Sequence, residues 1–326
     1  MKVGSLVYAT SQGLGILAKD FYDNGIITDA IVVRHGKHQT HEEWYPGSLV
    51  IGDLADRENK VKRFCESMDV MLFFETPFIW PLINHCRAKG VKTVLMPMHE
   101  CLHKTVWSNL PDLFLCPSLL DLQVCEQYNA VFLPVPVAYP WALRERARVF
   151  VHNAGHGGLK GRNGTDEIIE AIGLLKSPAK FIIRSQGRIP NVASDRVQTV
   201  GVVPYDKLFA EGDVFLFPEK FNGLSLPLQE ARAAGMLVMC GDRFPMNEWL
   251  PREPLIPVAG YRKERIGPPY QEFDEAIIEP RAIAATIDAY YDRDISEYSH
   301  QGKEWAEANS WAVLGQQYKA VLEGLL

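Results

Sequence analysis

Residues 213–242 constrain the fold of this 326-residue chain more than any other stretch. The stretch begins with a short apolar run, residues 214–217, that is rich in strand formers and too short for a helix. A turn-prone loop then leads to Pro227, which suits the first turn of a helix because its missing N–H would have no partner there. Gly235 is the predicted left-handed cap of that helix, and residues 237–240 form a second buried strand. The stretch therefore predicts a strand–loop–helix–strand unit of a parallel sheet, with its loop at the carboxyl edge of the strands.

Strands and helices alternate in the same way along the rest of the chain. Further strands are predicted at 3–8, 30–33, 70–74, 91–96, 114–116, 131–135, 149–152, 181–184 and 198–203. Helices are predicted from the glycine turn at 11–15 to about residue 24, and at 57–68, 81–89, 166–176, 281–291 and 312–326. Such alternation is typical of doubly wound parallel sheets.

The chain is long enough for two domains of ordinary size. Residues 134–148 carry three prolines and then a cluster of charges, which indicates a linker. We therefore expect a Rossmann-like first domain at residues 1–140, completed by a helix at 308–326, and a second at residues 148–307.

Composition favours a soluble globular protein, with 47% hydrophobic and 23% charged residues. No apolar run reaches the length of about 18 residues that a transmembrane helix needs, and the N-terminus indicates a strand rather than a signal peptide. Six scattered cysteines predict reduced core thiols, so a cytoplasmic location is expected. The net charge of −6 means that any contact with nucleic acid would need a local basic patch.

The loop and helix at residues 222–231, NGLSLPLQEA, carry a family resemblance. They resemble the E-G-F-G-L-P-x-x-E-A signature of retaining glycosyltransferases of the GT-B fold, glycosyltransferase family 4. The resemblance implies an α/β fold of two Rossmann-like domains with a cleft between them and a C-terminal helix that crosses back to the first domain. Ser310-Trp311 and the last helix resemble the C-terminal pattern of the same family.

This resemblance implies a site for a nucleotide-diphosphate sugar. Glu230 matches the second acid of the signature, whose implied role is to hold the ribose hydroxyls of the donor. Asn222 stands at the first acid, which contacts the donor sugar; an amide can bind hydroxyls there but supplies no charge. The backbone of four residues is expected to face the sugar and the β-phosphate: Gly223, Leu224, Ser225 and Leu226.

The glycine-dense loop at residues 153–164 predicts a second part of the donor site, because glycines let the backbone approach an anion closely. Family members carry G-R followed six residues later by K-G, and the two cations bind the diphosphate. In register, Gly155 and His156 replace G-R, and Arg162 lands on the lysine position. His156 is only partly charged at neutral pH, so Lys160 is expected to supply charge as well.

Other candidates lie at the ends of strands. Gly13 and Gly15 form the first-domain loop that the resemblance places near the donor phosphates. His99 follows a strand where the family carries a histidine that contacts the donor sugar or phosphate, although a purely structural histidine is an alternative. Arg184 or Gln186 is expected near the nucleotide base.

Two metal-binding motifs need separate treatment. His99 to His103 spells H-E-x-x-H, a zinc motif that requires a helix, whereas Pro97 and a predicted strand precede it here. Residues 292–294, D-R-D, resemble the metal-binding D-x-D of other sugar transferases but do not follow a strand, so we expect them to be solvent-exposed. Residues 242–248 resemble the D-x-x-x-x-x-E stretch that shapes the cleft floor in the family.

The resemblance implies a retaining glycosyltransferase that needs no metal or other cofactor, a hexosyl- or pentosyltransferase acting on an acceptor hydroxyl. The acceptor stays open between a glycan, a small molecule and a modified DNA base; the loop at 153–165 is loosely similar to loops of bacteriophage-encoded glycosyltransferases. Two alternatives remain, a non-catalytic sugar-nucleotide-binding protein and an H-E-x-x-H zinc hydrolase. Donor identity and oligomeric state stay open as well.

Overall fold

The computed structural model describes residues 1–34, 36, 39–52, 58–155, 161–187, 192, 194–252 and 254–326. They divide into two compact units. Unit 1 comprises Met1–Pro136, Gly267–Gln271 and Trp311–Leu326, and unit 2 comprises Val137–Ile266 and Glu272–Ser310.

Unit 1 is built on a seven-stranded parallel sheet in the order β3-β2-β1-β4-β5-β6-β7. Its strands are β1 (Val3–Val7), β2 (Asp29–Val33), β3 (Leu49–Ile51), β4 (Val70–Phe74), β5 (Lys92–Met96), β6 (Leu113–Cys116) and β7 (Ala130–Phe132). The helices are α1 (Gly13–Asp23), α2 (Glu58–Glu66), α3 (Pro81–Ala88) and α4 (Leu119–Cys125). Strands β1, β4 and β6 are buried along their whole length, as expected for a parallel sheet with helices on both faces.

Unit 2 contains a five-stranded parallel sheet in the order β10-β9-β8-β11-β12. Its strands are β8 (Val149–Gly155), β9 (Lys180–Ser185), β10 (Val197–Val200), β11 (Val214–Leu216) and β12 (Leu237–Met239), and an antiparallel hairpin adds β13 (Gly260–Glu264) and β14 (Phe273–Ile277). The helices are α5 (Thr165–Ile172), α6 (Leu226–Ala233), α7 (Met246–Trp249), α8 (Pro280–Tyr290) and α9 (Ser296–Ala308).

Successive residues of a strand feed opposite faces of this second sheet. Leu216 of β11 lies in a core with Ile168 of α5 and Ile287 of α8. Phe215, its neighbour in sequence, packs with Leu228 of α6 on the other face. Both faces of the sheet are therefore covered, which explains why β11 is apolar at every position.

The C-terminal helix α10 (Trp311–Glu323) belongs to unit 1, as predicted. Its Tyr318 is fully buried, and the hydroxyl donates to the carbonyls of Leu133 and Pro134 at 3.0 and 3.1 Å. Phe21 of α1 lies edge-on to both Tyr318 and Trp311, with ring centroids 4.9 and 5.1 Å apart. Trp311 thus anchors the end of the chain to the first helix.

Several predicted boundaries were wrong. The helix predicted at 166–176 ends at Ile172, because Asp288 of α8 accepts the backbone N–H groups of Lys176 and Ser177 and holds that segment out of the helix. The strand predicted at 131–135 ends at Phe132. The patterns also missed β3, α4, α7, α9 and both strands of the β13–β14 hairpin.

Other features agree with the sequence. All six cysteines are free, and five of them are buried. Asp292, Arg293 and Asp294 are exposed, as predicted. Among the helices of the described ranges, none combines the length and apolar character needed to cross a membrane.

Candidate functional site

The loops that follow β8, β11 and β12 meet at the carboxyl edge of the sheet in unit 2. Such an edge is the usual ligand-binding side of an open α/β sheet. The loop after β8 contributes Arg162, the loop after β11 contributes Glu219 and Asn222, and the segment after β12 contributes Arg243. Direct contacts between these side chains define what we call the Glu219 cluster: Arg162, Glu219, Asn222 and Arg243.

Close backbone packing fixes the position of Arg162. Gly164, at a φ of +72°, leaves no room for a side chain, since a Cβ atom there would lie 2.6 Å from the carbonyl oxygen of Pro218. The backbone N–H of Lys220 donates to the carbonyl of Arg162 at 2.8 Å. The loop after β8 is therefore held against the loop after β11, and Gly164 is required for that packing.

A buried histidine connects the strands and the helix that flank these loops. His152 of β8 contacts the carbonyl of Leu216 through Nδ1 at 3.0 Å and the hydroxyl of Thr165 through Nε2 at 2.8 Å. A carbonyl can only accept, so Nδ1 carries the proton and Nε2 accepts from Thr165. Burial lowers the pKa of His152 to about 4, and the neutral ring joins β8, β11 and the start of α5.

Glu219 is the centre of the cluster and is only 2% exposed. Its Oε1 accepts from Nδ2 of Asn222 at 2.9 Å and lies 3.7 Å from Nε of Arg162. Its Oε2 lies 3.4 Å from Nη2 of Arg243. Burial raises the pKa of Glu219 above its ordinary value, while the charges of Arg162 and Arg243 oppose that rise.

The two arginines differ in accessibility. Arg243 is 3% exposed, and its guanidinium donates to the backbone carbonyls of Glu219 and Asn222 at 2.8 and 2.9 Å. Arg162 is 27% exposed, and its guanidinium lies 5.9 Å from the ring centre of Phe221. Arg162 is thus the cation of this pair that a ligand can reach, whereas Arg243 clamps the loop.

Asn222 organises the turn that precedes α6. Its Oδ1 accepts the backbone N–H groups of Leu224 and Ser225 at 3.0 and 3.1 Å, and the carbonyl of Leu224 accepts from Gln229 at 2.7 Å. Ser225 has a φ of +45°, a conformation that favours glycine, and it stands where the family signature has its second glycine. Gly223 is buried in the same turn, and Leu226 begins α6.

Glu230 lies on α6 and is 8% exposed. The hydroxyl of Tyr205, a half-exposed residue after β10, donates to its Oε1. Arg184, at the end of β9, is 4% exposed and donates to the carbonyl of Leu208; its Nη2 lies 3.4 Å from Glu211. Burial lowers the pKa of Arg184. The guanidinium of Arg184 therefore contacts the 208–211 turn.

The predicted residues of unit 1 lie at the carboxyl edge of its own sheet. A Cβ atom on Gly15 would lie 2.1 Å from the carbonyl oxygen of Thr10, so the start of α1 requires glycine there. Gly13 faces open space, with nothing within 4 Å of a Cβ atom. His99 follows β5, is 8% exposed, and donates its backbone N–H to Asp121 at 2.8 Å.

The zinc alternative lacks the helix that it requires. His99 begins a 3₁₀ turn, His99–Cys101, and a second one, Lys104–Ser108, follows. His103 lies between the two turns, and its Nδ1 accepts from the backbone N–H of Thr105 at 3.1 Å. Within the part of the chain that the structure describes, no group of three or more His, Cys, Asp or Glu side chains could hold a metal ion.

The structure thus brings Arg162 and Asn222 together, and His156 and Lys160 lie outside the described residues. Sequence reasoning missed Glu219, and it included Arg243 only as part of the 242–248 stretch, without a role of its own. A signal for Glu219 was present, since an acid directly after a buried strand of a parallel sheet lies at the ligand-binding edge. Arg243 follows β12 in the same way.

Comparison with solved structures identifies the architecture. HepE of Anabaena, solved in complex with UDP and glucose, superposes with a TM-score of 0.74 at 13% identity, covering 99% of this chain and 100% of HepE. The match extends over both α/β units and the C-terminal helix of this chain. The chain has the GT-B fold. The fold class predicted from the signature at 222–231 is therefore confirmed.

Other GT-B matches extend over much or all of the chain. Sucrose-phosphate synthase of Thermosynechococcus elongatus superposes with a TM-score of 0.64 at 12% identity, over 100% of this chain and 99% of that protein. The pneumococcal O-GlcNAc transferase GtfA, in complex with UDP and GlcNAc, matches with a TM-score of 0.55 at 15% identity, over 81% of this chain and 59% of GtfA. The sequence matches no protein-family model and no curated protein.

Proposed function

We propose that this GT-B protein is a glycosyltransferase that uses a nucleotide-diphosphate sugar as donor. The observation that carries the proposal is the linkage of Arg162 and Asn222 through Glu219 at the carboxyl edge of the sheet in unit 2, with Glu230 on the helix α6 that begins in the same segment. Arg162, Asn222 and Glu230 come from the two segments whose motifs match the donor-binding pattern. Structural similarity to HepE, which was solved with UDP and with UDP-glucose, supports the same donor class.

Each residue has a role that suits its chemistry. Arg162 is accessible and always charged, so it stabilises the diphosphate as the bond between the sugar C1 and the phosphate oxygen breaks. His156 and Lys160 are proposed to assist it. Glu230, held by Tyr205, accepts hydrogen bonds from the ribose hydroxyls.

The turn at 222–226 is proposed to face the sugar and the β-phosphate. Asn222 is half-buried, and its amide nitrogen can donate to a sugar hydroxyl. The acceptor hydroxyl forms the new bond to C1 on the face from which the diphosphate leaves, and its proton passes to the departing phosphate. This route retains the anomeric configuration and needs no metal ion, because side-chain cations and helix N-termini neutralise the leaving group.

Residues of unit 1 are proposed to complete the reaction. Gly13 and Gly15 lie in the first turn of α1, and His99 begins the 3₁₀ turn after β5; both segments follow parallel strands, where GT-B enzymes bind phosphate and acceptor. Arg184 is proposed near the nucleotide base through its backbone, since its guanidinium is engaged by the 208–211 turn. The acceptor is a hydroxyl of a glycan, a small molecule or a modified DNA base.

A panel of nucleotide sugars and nucleoside diphosphates tests the proposal, with binding measured by calorimetry and donor hydrolysis by release of the nucleoside diphosphate. Hydrogen bonds to a charged phosphate contribute about 1.5–3 kcal/mol, so Arg162→Ala should weaken donor binding about tenfold to a hundredfold. Glu230→Gln should weaken binding of ribonucleotides more than that of the 2′-deoxy analogues.

Lys263→Ala is the matched control, because Lys263 forms an exposed ion pair with Asp274 on the β13–β14 hairpin. This variant should bind donors like the wild-type protein. Binding without turnover of any donor, with or without candidate acceptors, would favour the non-catalytic alternative. Failure of every nucleotide sugar and nucleoside diphosphate to bind would refute the proposal.

A further inference from the structure

We infer that Glu219 is a positioning residue of the donor site, and that it supplies from position 219 the carboxylate that is absent from position 222. This inference rests on the proposed function. Glu219 does not contact the donor itself, since it is 2% exposed. It acts through Asn222 and through Arg162, the accessible cation of the cluster.

The contacts of Glu219 explain how it positions both partners. Asn222 donates to Oε1 at 2.9 Å, which fixes the amide so that its own oxygen faces the backbone N–H groups of Leu224 and Ser225. The same Oε1 lies 3.7 Å from Nε of Arg162. One carboxylate oxygen therefore links the sugar-facing turn to the diphosphate-binding cation.

Charge balance supports the same assignment. Arg162 and Arg243 both approach Glu219, and two guanidinium groups brought together without an anion would repel each other. Glu219 allows the buried Arg243 to clamp the turn while Arg162 stays at the accessible side. With the carboxylate ionised, the cluster keeps one net positive charge, which suits an anionic diphosphate.

Asn222 and Glu219 are chemically interdependent. The hydrogen bond between them needs a donor at 222, and a carboxylate at 222 would have none. Asn222→Asp would place two carboxylates at hydrogen-bond distance in a buried site. The two carboxylates would repel each other and would lose the hydrogen bond between them, so an acid at position 222 and Glu219 are alternatives here.

Three variants test the inference in the full-length protein: Glu219→Gln, Asn222→Asp and the double variant that exchanges amide and carboxylate. UDP affinity, turnover of the best nucleotide sugar and thermal stability are measured for each. Glu219→Gln should lower kcat at least about tenfold, a loss of about 1.4 kcal/mol in transition-state stabilisation. Its Kd for UDP should change less than about threefold, because lost orientation of Arg162 is offset by one added positive charge.

The other two variants distinguish the effect of where the carboxylate lies from the effect of a less stable fold. Asn222→Asp should lower the Tm by about 4–8 °C, and the exchange variant should regain most of that loss, because its amide at position 219 can donate to its carboxylate at position 222. Its kcat should stay as low as that of Glu219→Gln, since the carboxylate no longer lies at position 219. Asp274→Asn, an acid-to-amide change in an exposed ion pair, is the control and should change neither kcat nor Tm.

An unchanged kcat in Glu219→Gln would overturn the inference, and so would recovery of kcat in the exchange variant. A third contrary result would be that kcat and UDP affinity of Glu219→Gln fall together and only in proportion to the fraction of protein that is unfolded. These outcomes differ from failure of the proposed function, in which the wild-type protein itself binds and turns over no nucleotide sugar. That last result would refute both the proposed function and the inference about Glu219.

Discussion

Replacing Asp121 by asparagine should change the pH dependence of stability. Asp121 of α4 is 1% exposed, accepts the backbone N–H of His99 at 2.8 Å and contacts the hydroxyl of Ser118. Burial raises its pKa from 3.8 to about 8; the contact with Ser118 opposes this rise and the charge of Glu100 adds to it. Asp121 is thus a protonated acid at neutral pH in the folded protein.

The expected change in the free energy of unfolding follows from the difference in bound protons between the folded and the unfolded chain. Stability contributed by the raised pKa of Asp121 is fully present below the unfolded pKa of 3.8 and is lost as the pH rises through about 8. Between pH 5 and 7 the folded state keeps this proton, whereas the unfolded chain has released it. One proton over two pH units corresponds to about 3 kcal/mol of lost stability.

Asp121→Asn removes this linkage while it preserves the contacts. The asparagine oxygen can accept from the N–H of His99, and its nitrogen can donate to Ser118. Urea unfolding at pH 5, 6 and 7 should show the variant gaining about 3 kcal/mol relative to the wild-type protein across that range. Asp274→Asn, at an exposed position, should shift by less than about 0.5 kcal/mol. Parallel stability curves for Asp121→Asn and wild type would refute the reasoning.

Three further changes have expected outcomes. Gly164→Ala should lower the free energy of unfolding by about 2–4 kcal/mol, whereas Gly161→Ala, at a φ of +67° with open space around it, should lower it by only about 1–2 kcal/mol. Equal losses of the two variants in urea unfolding would contradict the clash with Pro218. Ser225→Gly should raise the free energy of unfolding by up to about 1 kcal/mol through relief of its positive φ, and a loss of stability would count against that strain. Tyr318→Phe should lose about 1–3 kcal/mol, because the carbonyls of Leu133 and Pro134 lose their donor; an unchanged denaturation midpoint would show that they find another.

Much of the fold could be predicted because buried parallel strands leave a local pattern. β4 has the bounds predicted for it, Val70–Phe74, since every residue of that strand is buried and apolar. The loop signature at 222–231 indicated how these elements are arranged, namely in the GT-B architecture that the comparisons confirm.

The helix α9 illustrates why some elements escape such patterns. Its buried residues are Ser299 and Gly302, so it has no apolar stripe at helical spacing. Gly302 lies against α6, where a Cβ atom would approach the carbonyl oxygen of Arg232 to 2.4 Å. Packing of two helices through small residues depends on backbone proximity, which a hydrophobicity pattern does not report.

The residues of the candidate site likewise fall into those that a local motif predicted and those that it did not. Arg162 and Glu230 were predicted because each belongs to a local motif. The contacts of Glu219 come from three separate loops, after β8, β11 and β12, and only the parallel sheet brings those loops to one edge. The position of Glu219 after a strand indicates the sheet edge at which it lies, but its partners are distant in sequence and cannot be identified from its neighbours.

The departure from the family signature at position 222 can therefore be interpreted differently once the cluster is known. Asn222 taken alone suggests a site that has lost its acid and hence its activity. In the folded protein the amide is the donor that Glu219 requires, and the same amide accepts two backbone N–H groups of the turn before α6. A carboxylate thus remains in the cluster, three positions earlier in the chain and paired with Arg162 and Arg243. With the role inferred for Glu219, the amide at position 222 would be part of a rearrangement of charge within one site, so it does not by itself favour a non-catalytic protein over an enzyme.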